Sequence, residues 1–335
     1  MIWFTWRQFR TQTWIALGAL AVLAIVLVVT GRALAEAYTS AGLDACQGDC
    51  AEAVDAFLVT VRANGLEAAY NAIVIAMYVV PALVGIFWGA PLVARELETG
   101  THRLAWNQSV TRTRWLAAKF GVAAVVVAVV GLGSAAITLW ATRVDSVTGD
   151  RITPMVYGAR GVVPIGYAIL AFAFGVTAGI LIRRTIPAMA VTLAVYVAAF
   201  VAVPLWIRGH LVAAVHVTRP LDASAINGII INSRTDFAMT IIGGVDDVDG
   251  WVLSNQTVTA TGQPFTGPAN PQACGEHGGP GTCREWIGSL GLRQDLTYHP
   301  SDHFWSLQWA EVGLLLAAAA LLAGFCFWWT NRRLA

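Results

Sequence analysis

The sequence predicts an all-α integral membrane protein. It has six transmembrane helices, an interfacial amphipathic helix before them, and a small exterior domain with strands between spans five and six. Three observations lead there. Hydrophobic residues make up 57% of the 335-residue chain and charged ones only 12%, with a mean hydropathy of +0.63. A soluble domain carries about 25% charged residues. The apolar residues gather into stretches of roughly 20, the length a helix needs to cross about 30 Å of hydrocarbon. One long segment toward the C-terminal end breaks the pattern with glycine, proline, threonine and aspartate.

Residues 1–12 come first. Ile2, Trp6, Phe9 and Thr13 fall on one helical face with Trp3 beside it, and Arg7 and Arg10 lie to the side, where they can snorkel. This reads as a helix lying in the inner interface. The spans then run over about 13–31, 71–93, 116–140, 162–182, 186–206 and 307–329. Spans one to five thus occupy 13–206, and span six with a short tail occupies 307–335. The first is longer than the apolar region of a secretory signal, and no clean A-x-A site precedes a soluble domain. Pro81 is expected to kink span two, and Pro204 to end or bend span five. Tryptophans at the span ends form an aromatic belt. Gly175 and Gly179 make a G-x-x-x-G in span four. Such a pair lets helices approach closely, within one subunit more plainly than across a dimer seam.

Basic residues near the spans set the orientation. With the N-terminus inside, the inner segments hold Arg7, Arg10, Arg95, Arg103, Arg112, Arg114, Lys119, Arg183, Arg184, Arg332 and Arg333, against only Glu96 and Glu98. This predicts a multi-pass membrane protein with both termini cytoplasmic. Two outer segments are long, about 32–70 and 207–306. The first reads as helical around the turn "DACQGDC", the second as strands and loops of an extracytoplasmic domain. Four of the five cysteines, Cys46, Cys50, Cys274 and Cys283, fall in these segments. An even count in an oxidising compartment suggests disulfides. The local pairs Cys46–Cys50 and Cys274–Cys283 are simplest, with cross pairing between the segments the alternative. A zinc site is the rival, although the spacings are not C-x-x-C.

Several chemistries lack their residues. All six histidines lie in loops, and no charge sits in the middle of a span, Glu311 near the outer end of span six coming closest. Intramembrane proteases and proton-coupled pumps need such groups at depth. There is no G-x-x-x-x-G-K-[ST] phosphate loop. A net charge of +1 without a long basic run gives no nucleic-acid signal. The chain is therefore expected to be no enzyme, with no catalytic residue, metal or cofactor of its own.

What remains is "RELETGTHRLAWNQSVTRTRWLAAK", residues 95–119, with seven formal charges between two apolar runs. At about 3 kcal/mol per charge, burying it in a bilayer would cost about 20 kcal/mol. It belongs in the cytosol, where it is the only inner segment long enough to meet a partner. The loop between spans four and five is only Arg183, Arg184 and Thr185. Gly100 can end span two and let the chain turn. Thr101 can cap the next short helix. Arg112, Arg114, Trp115 and Lys119 anchor span three. In the plainer reading this is a solvated loop, its acids paired locally with Arg95 or Arg103.

An amphipathic N-terminal helix, six spans, and the pattern Glu96, Glu98, Gly100, Thr101, Ser109, Thr111, Arg112, Lys119 together resemble the permease subunits of ABC exporters of the second type, particularly actinobacterial efflux-like permeases. The resemblance covers the N-terminal helix through span five, and span six by position. It implies that segment 95–115 forms a coupling helix docking on a separate ATP-binding subunit, which holds ATP and Mg. The implied coupling residues are Glu96, Glu98, Gly100, Thr101, Leu104, Trp106, Ser109 and Arg112. It also implies a second permease copy, as homodimer or heterodimer, with spans one and five at the seam. The substrate would be a hydrophobic or amphipathic small molecule or lipid, exported from the cytoplasm. One departure is the exterior segment of roughly 100 residues between spans five and six, where the family usually has a short turn. The alternative function is a membrane receptor or sensor that signals without transport; a membrane-embedded enzyme is a third class.

Overall fold

The computed structural model describes residues 2–48, 50–107, 111–148, 151–232, 238–245, 248–275 and 279–333. Among them six helices are long and apolar enough to cross a membrane: Leu17–Ser40, Leu66–Glu98, Arg112–Thr142, Val163–Ile182, Thr185–His210 and Ser301–Arg333. The chain divides into two compact units. One comprises Met1–Thr148, Pro154–Leu211 and Trp305–Ala335, the other Gly149–Thr153 and Val212–Phe304.

The helical unit begins with α1 (Ile2–Ser40), 39 residues without a break. The N-terminal helix expected over 1–12 is thus not a separate element. No glycine or proline falls between Ile2 and Leu17 to interrupt the hydrogen-bond ladder. The amphipathic face expected there rests on side chains outside the described residues. The helix also outruns its apolar stretch, because "ALAEAY" continues with strong helix formers. The chain then turns at Gly42, at φ +75°. Helix α2 (Ala51–Ala63) folds back on it, with Phe57 fully buried against Leu34, Ala37 and Leu66. The Cys46–Cys50 disulfide closes the intervening turn.

Span two is composite: α3 (Leu66–Leu83), a π-helical stretch Val84–Gly89, and α4 (Ala90–Glu98). Pro81 lacks the N–H that would continue the ladder. Three residues later the helix widens into the π register, a local slip of the hydrogen bonds. Helix α5 (His102–Asn107) follows the turn. Span three is α6 (Arg112–Phe120) continued by α7 (Val122–Thr148). After a one-turn helix α8 (Pro154–Tyr157), span four is α9 (Val163–Ile182). Span five is α10 (Thr185–Ala202), extended by a π-helical stretch Val203–Ile207 that contains Pro204. Span six is taken up below as α13.

Span four is the most deeply buried, and its glycines explain how. A Cβ on Gly175 would lie 2.5 Å from Gly85 O, and one on Gly179 would lie 2.8 Å from Ala90 O. From the other side, a Cβ on Gly85 would lie 2.8 Å from Ala171 O. The G-x-x-x-G therefore packs spans four and two backbone to backbone within one subunit. Around this contact lie Leu116, Val126, Phe172, Val176, Ile180 and Cys326.

The second unit holds strands β1 (Val215–Pro220), β2 (Ile226–Asn232), β3 (Ala238–Gly243), β4 (Gly250–Val258) and β5 (Arg293–Pro300). An antiparallel sheet runs β1-β5-β4, and β2 and β3 form a separate antiparallel pair. Helices α11 (Pro271–Cys274) and α12 (Pro280–Ser289) are tied by the Cys274–Cys283 disulfide. Both disulfides are thus the local ones, the simplest pairing in the sequence. Met239, Ile241, Cys283 and Ile287 form the unit's buried core. The expected bounds of 207–306 tighten to Val212–Phe304, because residues up to His210 stay helical, and Gly149–Thr153 join the unit. Helix α13 (Phe304–Arg333) completes the chain.

Candidate functional site

The polar cassette is built where α4 ends. Gly100 adopts φ +72°, which a residue with a Cβ rarely takes, and its N–H reaches Leu97 O at 3.4 Å. The turn brings α5 and α6 back against α4. Thr111 accepts from Arg114 N at 3.3 Å and so caps α6. Thr101, expected to cap the short helix that follows it, α5, instead turns its hydroxyl back to Thr99 Oγ1 (3.1 Å) and Glu96 O (3.5 Å). His102 Nδ1 lies 3.0 Å from the same carbonyl.

The two acids find partners that the local reading missed. Glu96 pairs with neither Arg95 nor Arg103, both of which are exposed. Its carboxylate accepts a 2.9 Å bond from Trp115 Nε1 and forms an ion pair with Lys119. The side chains of the pair are only 13% and 6% exposed. Glu98 is exposed and reaches across to span five. Its Oε2 accepts from Thr185 N (3.0 Å) and from Thr185 Oγ1 (2.7 Å). Thr185 opens α10, whose first N–H groups have no partner within the helix. A carboxylate from span two therefore serves as cap for span five.

Trp106 sits between these groups. Its ring packs edge-on against His102 (4.8 Å) and Trp115 (5.9 Å), and the Arg112 guanidinium lies 4.9 Å from its centroid. Glu96, Thr101, Trp106 and Arg112 thus belong to one cluster with Trp115 and Lys119, while Glu98 faces another span. Ser109, and the side chain of Leu104, lie outside the described residues. The arrangement has a mechanical sense. Two carboxylates, two residues apart on the end of span two, hold the starts of spans three and five. A displacement of α4 to α6 would carry all three spans.

A second polar cluster lies at the opposite ends of the spans. Arg208, at the end of span five, grips Glu311 of span six through Nε (2.7 Å) and Nη2 (2.9 Å), and Tyr167 OH donates to Glu311 Oε1 at 3.1 Å. Arg208 is 2% exposed and Glu311 is fully buried. In the sequence Arg208 falls inside the expected exterior segment and Glu311 near the outer end of span six, each at the margin of an apolar run and 103 residues apart, so nothing there pairs them. The usable signal was a lone acid inside span six, which calls for a cationic partner when buried.

A family model described as ABC-2 membrane transporter related matches residues 17–208, more than half of the chain and spans one to five. No curated protein and no solved structure matches it. The six apolar helices and this match agree, and the chain belongs to the ABC-2 membrane transporter related family.

Proposed function

We propose that the chain is the permease subunit of an ATP-driven exporter, moving a hydrophobic or amphipathic small molecule or lipid out of the cytoplasm. Membership of the family implies a multi-pass membrane protein that is a transporter subunit partnered with an ABC ATPase. The finer reading puts ATP and Mg on that partner. It places the cassette and both termini in the cytosol of a bacterial cell, and the Val212–Phe304 unit outside. Spans one and five carry long exposed apolar faces, such as Val22, Ile25 and Val29 on one and Val191, Val197 and Val201 on the other. They suit a seam with a second permease copy.

The observation that carries this reading is the divided grip of Glu96 and Glu98 on spans three and five. It supports a segment that passes an applied motion into the bundle. The test is affinity capture of the tagged chain from its native membranes, followed by ATP turnover and export against a compound panel. An ATPase should copurify. Glu98→Ala should leave insertion intact but lower export per ATP hydrolysed severalfold, whereas Asp222→Ala in the second unit should leave the ratio unchanged. Capture of no ATPase would overturn the exporter reading and favour a sensor built on the Val212–Phe304 unit.

A further inference from the structure

Part of the segment joining spans three and four, Val156–Arg160, is buried, and most of it is irregular. After the single turn of α8, Gly158, Ala159 and Arg160 remain buried, although the chain has left regular structure. Connecting segments normally run over the surface, because buried backbone N–H and C=O groups must be paired. Here the partners are side chains from the other spans. Tyr78 of span two places its hydroxyl 2.6 Å from Met155 O. From span three, Ser134 Oγ donates to Gly161 O (2.6 Å) and Thr138 Oγ1 accepts from Gly161 N (3.1 Å). Gln308 of span six accepts from Val162 N (2.9 Å) and Val163 N (3.0 Å) through Oε1, and donates to Tyr157 O (3.1 Å) through Nε2. Arg208 of span five reaches Pro154 O at 3.4 Å while it holds Glu311. Four spans thus meet on one short stretch of backbone.

We propose that residues 154–163 are a plug closing the translocation path on the extracytoplasmic side, with the Arg208–Glu311 pair as its latch. The inference rests on the permease reading given above. Three features support a closure over a fixed wedge. Spans two, three, five and six hold the plug from different sides, so parting them at this end must break these bonds. Every such bond is polar, and water can replace it as the spans part, so that opening is reversible. A buried ion pair is often no more stabilising than well-packed apolar residues in its place. A latch has a use for charges that can be rehydrated, which a wedge has not. The pair is also placed to respond to the second unit through the chain itself: Arg208 stands four residues before Val212 and Glu311 seven after Phe304.

The test uses the full chain in lipid nanodiscs, with Cys326→Ala, both disulfides intact, and a single reporter thiol at Ala159→Cys. Ala159 is fully buried. An impermeant maleimide should label the parent slowly. Gln308→Ala should raise the labelling rate at least tenfold, with a cooperative melting transition retained. Arg208→Met/Glu311→Leu, which replaces the latch by apolar side chains, should keep labelling as slow as in the parent but cut export at least fivefold. Fast labelling in the parent would overturn the plug, as would an unchanged rate in Gln308→Ala. Wild-type export by the double variant would overturn the latch. Failure to capture an ATPase, with the labelling pattern as expected, would count against the exporter reading and not against the closure.

Discussion

Glu96 and Glu98 illustrate how two like residues differ once their surroundings are known. Glu96 and Lys119 are nearly buried together, so removing one charge strands the other. Glu96→Ala should destabilise the purified chain by about 3 kcal/mol, and Glu96→Ala/Lys119→Met should recover most of that loss. Thermal melting of the two variants in detergent checks both statements. Both acids were visible in the sequence as the only ones on an otherwise basic face. Their partners were not, because Trp115 and Lys119 come from the next span and Thr185 lies 87 residues on. Charge sums identify a polar segment, but they do not say which turn of which helix will lie beside it. The same limit hid Arg208 and Glu311.

At the scale of elements, the spans were legible because a bilayer demands a minimum apolar length. Their ends were not, because helix propensity and membrane burial stop at different places. Helix α1 runs on to Ser40 through residues that favour a helix in either solvent. Prolines were legible as disturbances, though not as the π-helical stretches that accompany them, one just after Pro81 and one around Pro204. The contact between spans two and four separates close packing from simple helix propensity. Gly175→Ala adds a Cβ 2.5 Å from Gly85 O and should cost about 1–3 kcal/mol, since neither backbone can yield easily. Gly313→Ala, in α13 with open space around it, should instead stabilise by about 0.5–1 kcal/mol through helix propensity. Melting temperatures of the two variants should move in opposite directions.

For the whole molecule, six spans and a strand-bearing insertion were readable from the apolar stretches and the shift in composition between them, and disulfides from compartment and count, with the local pairing only the simplest of the pairings left open. The pairing of β1 with β5 was not, since Val215 and Tyr298 become neighbours only after the segment between them has folded. Orientation can be measured directly. With Cys326→Ala and the disulfides intact, Arg103→Cys should react with an impermeant thiol reagent only after lysis, and Thr261→Cys in intact cells; the reverse order would invert the topology. Lys119 is the only lysine among the 21 basic residues. Because it is shielded by Glu96 and Trp115, the closed protein offers amine-directed reagents no accessible side chain. The cassette thereby carries its own chemical clock. Acylation at this single position, read by mass, times how often the grip between spans two and three lets go, without a probe having to be introduced.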